Sequence, residues 1–213
     1  LSPNYFEAYI GIGKAYINSG KNNKAIPPLR NAIGINPLSL EAYNNLGLAY
    51  TNIDDHDKAL VSYAEVARID FRNPVAHYKV GVSYTKIDKK LKAIKKFEEA
   101  IRLNESFPEA HFNIAWLYQE LGEADKALAS YAQTIKYDPD NLQAFFNSAE
   151  IHESFQRYQE AIEAFLEVTR INPGHVEAHA RLGGNYAKLN LPEKALAEFN
   201  IALQINPNLP ETY

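Results

Sequence analysis

Apolar and polar positions along this chain follow a helical period, in short stretches that come in pairs. His111, Ile114, Ala115 and Tyr118 fall at i, i+3, i+4 and i+7. After a break at Gly122, the residues Ala127, Tyr131 and Thr134 fall at i, i+4 and i+7. The spacing predicts two amphipathic helices, A and B, over about 108–121 and 123–137, each with one inward stripe. A single hairpin of this kind cannot bury both stripes, so the pattern predicts hairpins stacked on copies of themselves.

The copies are present in one register. The eighth position of the unit gives Gly13, Gly47, Gly81, Ala115, Ala149 and Gly183, each 34 residues after the last. The twentieth gives Ala25, Ala59, Ala93, Ala127, Ala161 and Ala195, and the twenty-fourth gives Leu29, Tyr63, Phe97, Tyr131, Phe165 and Phe199. Small residues facing one another let two helix backbones approach, and a large residue one turn later fills the space beside them.

The period and these positions resemble the tetratricopeptide repeat family, whose pattern places an aromatic, Leu-Gly, Tyr, Ala, Phe, Ala and Pro through the unit. The resemblance implies an all-α fold, a right-handed superhelical α-solenoid of stacked antiparallel helix pairs. It implies six repeats, at 6–39, 40–73, 74–107, 108–141, 142–175 and 176–209, with the tail of an earlier repeat at 1–5 and the start of a further one at 210–213. The chain is accordingly expected to be an excerpt of a longer array. Within it Pro27 and Pro28 fall where the first helix B should run, and each removes a donor, so that helix is expected to start late or kink. The fifth repeat is the least regular, with Ser148 in place of Leu or Ile and His152 in place of Tyr, and is expected to be the softest.

Composition narrows the function. Of 213 residues, 46% are hydrophobic and 23% charged, and no apolar run suits a bilayer, so no direct membrane insertion is expected. A net charge of -4 argues against a general nucleic-acid binder, and no nucleic-acid partner is expected. There is no cysteine, hence no disulfide framework or thiol chemistry, which suits a cytoplasmic location, with a periplasmic or organelle-associated one as the alternative. Charge is segregated: the third repeat carries eight basic residues against four acidic, the fourth two against six. The lysines from Lys89 to Lys96 lie on helix B, the outer face in the resembled family, as a solvated face or a second contact surface.

No catalytic constellation emerges, and neither enzyme activity nor a cofactor is expected. Ser19-Gly20-Lys21 lacks the first glycine and the following Ser or Thr of a phosphate loop. His175 and His179 have metal-ligand spacing. However, His77, His111 and His179 occupy the fourth position, where other repeats have Tyr or Phe, and read as packing residues, so no metal is expected. Asn104-Glu105-Ser106 is a glycosylation sequon, meaningful only in a secreted chain.

What remains is a surface for a protein or peptide partner. With positions 4, 7, 8 and 11 of helix A turned inward, positions 2, 5, 6 and 9 are expected to line a concave groove. Position 6 supplies Asn45, Lys79, Asn113, Asn147 and Arg181. An amide can donate to a peptide carbonyl and accept from its N–H at once, which suits holding an extended backbone. This row resembles the asparagine ladder of the tetratricopeptide arrays in O-GlcNAc transferase and kinesin light chain. Tyr78, Phe112, Trp116 and Phe146 are aromatics sent to the same face and are candidate anchors. The resembled family's clamp for a C-terminal carboxylate is incomplete, because Ile10 and Lys14 stand where its first lysine and asparagine belong. The expectation is a non-enzymatic scaffold binding an extended or helical segment in the groove. The alternatives are a substrate-selecting arm of a larger enzyme such as a glycosyltransferase, or self-association through open terminal repeats.

Overall fold

The computed structural model describes residues 3–207. Residues 210–213 and the first two of the expected tail lie outside the described residues. Among the described residues twelve α-helices follow one another: α1 (Pro3–Asn18), α2 (Asn22–Ile35), α3 (Leu40–Thr51), α4 (His56–Ile69), α5 (Pro74–Lys86), α6 (Lys90–Leu103), α7 (Pro108–Glu120), α8 (Ala124–Tyr137), α9 (Leu142–Ser154), α10 (Tyr158–Ile171), α11 (Val176–Lys188) and α12 (Pro192–Ile205). They form two compact units, Leu1–Ala110 and His111–Tyr213. In the first, α1 packs on α2, α3 on α4 and α5 on α6, and α2 and α4 pack on the next helix A; in the second, α9 pairs with α10 and α11 with α12, while α8 and α10 pack forward in the same way. This is the α-solenoid of stacked helix pairs.

Each helix A stops by the same device. Gly20, Asp54, Asp88, Gly122, Gln156 and Asn190, all at position 15, have φ between 55° and 75°. The next amide reaches back to the carbonyl at position 11: Lys21 N to Tyr16 O at 2.8 Å, Asp55 N to Tyr50 O at 3.0 Å, Glu123 N to Tyr118 O at 2.9 Å, Arg157 N to His152 O at 2.9 Å. A left-handed residue followed by this long closing bond is the Schellman ending, which Gly, Asn and Asp adopt at least cost. Gln156 has neither the missing Cβ of Gly nor the short polar side chain of Asn or Asp, so the fifth repeat carries the least suited residue at this turn. The starts of helices A are capped as well: Ser39, Asn73, Asn141 and His175 each accept from the amide three residues on.

Two expectations change. Helix α2 begins at Asn22, in step with the first residue of every other helix B, and runs through Pro27 and Pro28. It does not start late, because the carbonyls that lose a donor are those of Asn23 and Lys24, which are exposed to water. At the amino end Pro3 is already helical, so residues 3–5 of the expected tail are the first turn of α1, where proline is well tolerated.

The core is a ladder of small-against-large contacts. The alanines at position 20 are sealed, Ala127 at 0% exposure among them. The glycines at position 8 lie directly under the large residue at position 24. A Cβ on Gly47 would stand 2.6 Å from the Tyr63 ring, one on Gly81 2.6 Å from Phe97, and one on Gly183 2.6 Å from Phe199. The close approach expected between positions 8 and 20 is therefore made tightest by position 24.

In the fifth repeat Ser148 is satisfied, donating to Ala144 O at 2.7 Å. His152 is not, since its Nδ1 is buried without a hydrogen-bond partner among the described residues. Burial holds its imidazole below the ordinary value of 6.5. The folded state thus disfavours the proton that the unfolded chain accepts, and stability is complete above about 6.5 and falls as pH drops below it.

Two outcomes follow for thermal unfolding. Ala127→Leu overpacks a sealed contact and is expected to cost about 1–3 kcal/mol; an unchanged melting temperature would place the register elsewhere. His152→Tyr, which restores the residue of the other repeats, is expected to shrink the loss of melting temperature between pH 7.5 and pH 5 relative to the parent; an equal loss in both would free His152 of blame.

Candidate functional site

Helices A carry the candidate residues, and their inward stripe fixes which way positions 5, 6 and 9 face. At position 5 the three aromatic rings pack against other rings. Tyr78 packs against Phe97 and Phe107, with ring centroids 5.5 and 5.0 Å apart. Phe146 is 8% exposed, edge-on to Phe165 at 5.4 Å and beside His175 at 5.3 Å. Phe112 lies 5.7 Å from the Tyr131 ring and is half-buried. Each ring rests on position 24 of its own repeat, and two also meet the residue just before the next helix A. They fill the seam between helix pairs, because position 5 lies between position 4 and the neighbouring helix. Trp116, at position 9, is the anchor that stays open, at 37% exposure.

Position 6 splits by partner. In the first unit Asn45 Nδ2 donates to its own helix, Glu41 O, at 2.9 Å. Lys79 Nζ donates to Asn44 Oδ1 at 3.1 Å and sits 5.1 Å from the Tyr63 ring centroid. Burial draws the Lys79 ammonium below the usual lysine range. In the second unit Asn113 is half-buried, and Asn147 is buried at 7% exposure. Asn147 Nδ2 donates to Tyr131 Oη at 2.7 Å, Tyr131 Oη donates to Gln119 Oε1 at 2.8 Å, and Gln143 Nε2 donates to Asn147 Oδ1 at 2.7 Å. Burial, opposed by the Asn147 bond, pushes the Tyr131 hydroxyl up to about 12. Asn147 is thus braced inside the layer.

Arg181 is held by three carboxylates, Glu153 Oε2 at 2.7 Å, Glu150 Oε1 at 3.2 Å and Glu177 Oε1 at 3.3 Å. Asn185 donates to the other oxygen of Glu153. A cleft of about 420 Å³ opens here, lined by Glu153, Tyr158, Glu177, Ala180, Arg181, Gly184, Asn185 and Lys188. Its lining balances two carboxylates, Glu153 and Glu177, against Arg181 and Lys188, and presents Arg181 already neutralised. The sequence reading missed these acids, although a signal existed: Glu150 and Glu153 occupy positions 9 and 12, beside position 6 of the next helix A.

The histidines are structural. His179 Nε2 lies 3.1 Å from Pro173 O and its Nδ1 2.7 Å from Glu198 Oε2. His175 Nδ1 instead accepts from Ala178 N as the α11 cap, so the two rings serve separate tasks. His77 bonds Phe71 O through Nε2 at 3.0 Å. Among the described residues no three His, Asp or Glu gather as a metal site, and no helix is long and apolar enough to cross a membrane.

Comparison with known proteins agrees with this helix-pair architecture. Sequence profiles described as tetratricopeptide repeat match residues 40–73, 88–132, 112–176 and 154–212, and one described as TPR repeat matches 13–54. The chain belongs to the tetratricopeptide repeat family. No curated protein matches it. Among solved structures it is similar to MamA, with TM-score 0.72 and 22% identity over 82% of this chain and 98% of that one. It is similar to YrrB, described as a TPR protein with an unusual peptide-binding site, with TM-score 0.70 and 23% identity over 84% and 93%. It is also similar to pilF of Pseudomonas aeruginosa, with TM-score 0.74 and 16% identity over 97% and 94%. At these identities the likeness is one of fold: a tetratricopeptide scaffold.

Because Asn147 braces Tyr131, Asn147→Ala is expected to lower stability by about 1–3 kcal/mol by stranding buried polar groups. Chemical denaturation checks this, and an unaltered midpoint would mean that the amide faces solvent.

Proposed function

We propose that this tetratricopeptide protein is a non-enzymatic scaffold whose helix-A faces bind an extended or helical peptide segment. Taken unit by unit, Asn45 and Lys79 would hold peptide backbone on the first, and Asn113 would do so on the second, with Trp116 as its aromatic anchor. Tyr78, Phe112 and Phe146 line the seams beneath, Asn147 stiffens the layer, and Arg181 with its three carboxylates forms a polar wall. The observation that carries the reading is Trp116. It is the chain's single tryptophan, it is left open on the face of helix A that also bears Asn113, and the repeat does not need a large ring there, since position 9 is Lys14, Leu48, Val82, Glu150 or Gly184 elsewhere. An open indole beside amide groups is the usual make-up of a binding hot spot. YrrB, of the same fold, is described as having a peptide-binding site, which is consistent with this use of the surface.

Trp116 also provides the assay. Its emission in the free protein is expected to be quenched by acrylamide and to become protected on addition of peptides selected from a random library. Trp116→Ala is expected to weaken those peptides roughly tenfold or more with the melting temperature kept. Selected peptides that bind the variant as tightly as the parent would remove Trp116 from the site.

A further inference from the structure

We propose that the cleft around Lys79 in the first unit is an anion site that takes the carboxylate or phosphoryl group of a side chain on the bound peptide. This deepens the peptide reading and rests on it for the source of the anion. The cleft is about 200 Å³ and lies between the second helix pair and α5, with Thr51, His56, Tyr63, Tyr78, Lys79 and Lys86 in its lining.

Its cations are poorly neutralised. Among the described residues three cations stand at positions 6 and 9 of helices A. Lys14 meets Glu41 at 2.8 Å, and Arg181 is held by three carboxylates. Lys79 has neutral partners, an amide oxygen and the face of Tyr63. An ammonium has three N–H donors, and a half-buried one gains most from an anion, because burial has stripped part of its hydration without supplying a counter-charge. Lys79 is half-buried, and that same burial disfavours its charged form.

The rest of the lining suits an anion. Lys86 is exposed and adds a second positive charge at the end of α5. The Thr51 hydroxyl donates its proton to Gly47 O at 2.9 Å, so in the 3.5 Å contact between Thr51 Oγ1 and the Tyr63 hydroxyl it is Tyr63 that donates. That bond is long for two hydroxyls, and a closer anion can take the Tyr63 proton from it. His56 Nε2 lies 3.7 Å from Asp54, whose side chain is 94% exposed, so that carboxylate stands at the rim in water. A carboxylate or phosphoryl group placed in the cleft meets an ammonium, a phenol donor and a second ammonium.

The intact chain, labelled with ¹⁵N, is titrated with inorganic phosphate and separately with acetate, at ionic strength held constant with chloride. Saturable amide shifts confined to the surroundings of Tyr63, Lys79, Ser83 and Lys86 are expected. Lys79→Gln and Lys86→Gln are each expected to weaken binding, Lys79→Gln by roughly tenfold or more, while Lys95→Gln on α6 leaves it unchanged. Tighter phosphate assigns a phosphorylated side chain and tighter acetate an acidic one; either supports the site. Absence of saturation with both anions overturns it, as does parental affinity in Lys79→Gln. Should that variant melt early, Lys86→Gln decides alone, since its exposed side chain supports no packing. Because no peptide is present, a failed anion site leaves the Trp116 reading standing, and a failed peptide assay leaves the anion result standing.

Discussion

Everything in this chain depends on how closely helix A can approach helix B. Where position 8 is Gly, the large side chain at position 24 occupies the space a Cβ would need. This sets the distance between the two backbones, and the sealed alanine at position 20 maintains it. A Cβ added at one of these glycines, or a larger group at position 20, would push the pair apart unless the side chain at position 24 shifted, and the misfit would pass to the next pair, which packs on the same helices. The Schellman ending at position 15 is the second half of the constraint. It turns the chain after the same number of residues each time, so that position 20 arrives opposite position 8.

A groove residue inherits its role from this frame. Position 5 lies on the seam and becomes packing, whatever aromatic stands there. Positions 6 and 9 lie toward the open face except at Asn147, which is buried, so the chemistry of their cations is decided by neighbours on adjacent helices A. Lys14 is neutralised by position 2 of the next repeat, and Arg181 by positions 9 and 12 of the previous one. Lys79 receives an amide from position 5 of the previous repeat instead. The same kind of residue at the same kind of place is thus inert or available according to one residue on the neighbouring repeat.

The fold was legible because its determinants are periodic. Six copies of the same small and large residues leave one register in which all of them can be buried together, and every helix after α1 begins in that register. The double proline misled because its cost depends on whether the robbed carbonyls reach water, and Asn23 and Lys24 are exposed. The site was less legible. A pattern within one repeat assigns faces to about one residue's accuracy, which is enough to find the stripe and not enough to separate position 5 from position 6. Contacts between helices, such as Asn147 to Tyr131 of the previous repeat and on to Gln119, join residues 16 and 12 apart in sequence. They depend on side-chain reach that a periodic pattern does not encode.

The amide row shows how far the analogy with an asparagine ladder extends. A ladder that grips a backbone needs amides whose donor and acceptor are both available at the surface. Asn45 stays on the open face with its Nδ2 turned back to its own helix, while Asn147 has committed its amide nitrogen to the buried Tyr131 hydroxyl and its amide oxygen to Gln143, an exposed residue of its own helix. An amide so committed cannot exchange partners without stranding a buried tyrosine hydroxyl. On the reading proposed above, recognition on this surface comes from individual places where a group remains open or under-neutralised. In the second unit the proposed place is the indole of Trp116, and in the first it is the ammonium of Lys79. The two ask for different things of a ligand, an apolar side chain and an anion, so a segment that satisfies either is selected by its side chains and not by its backbone alone.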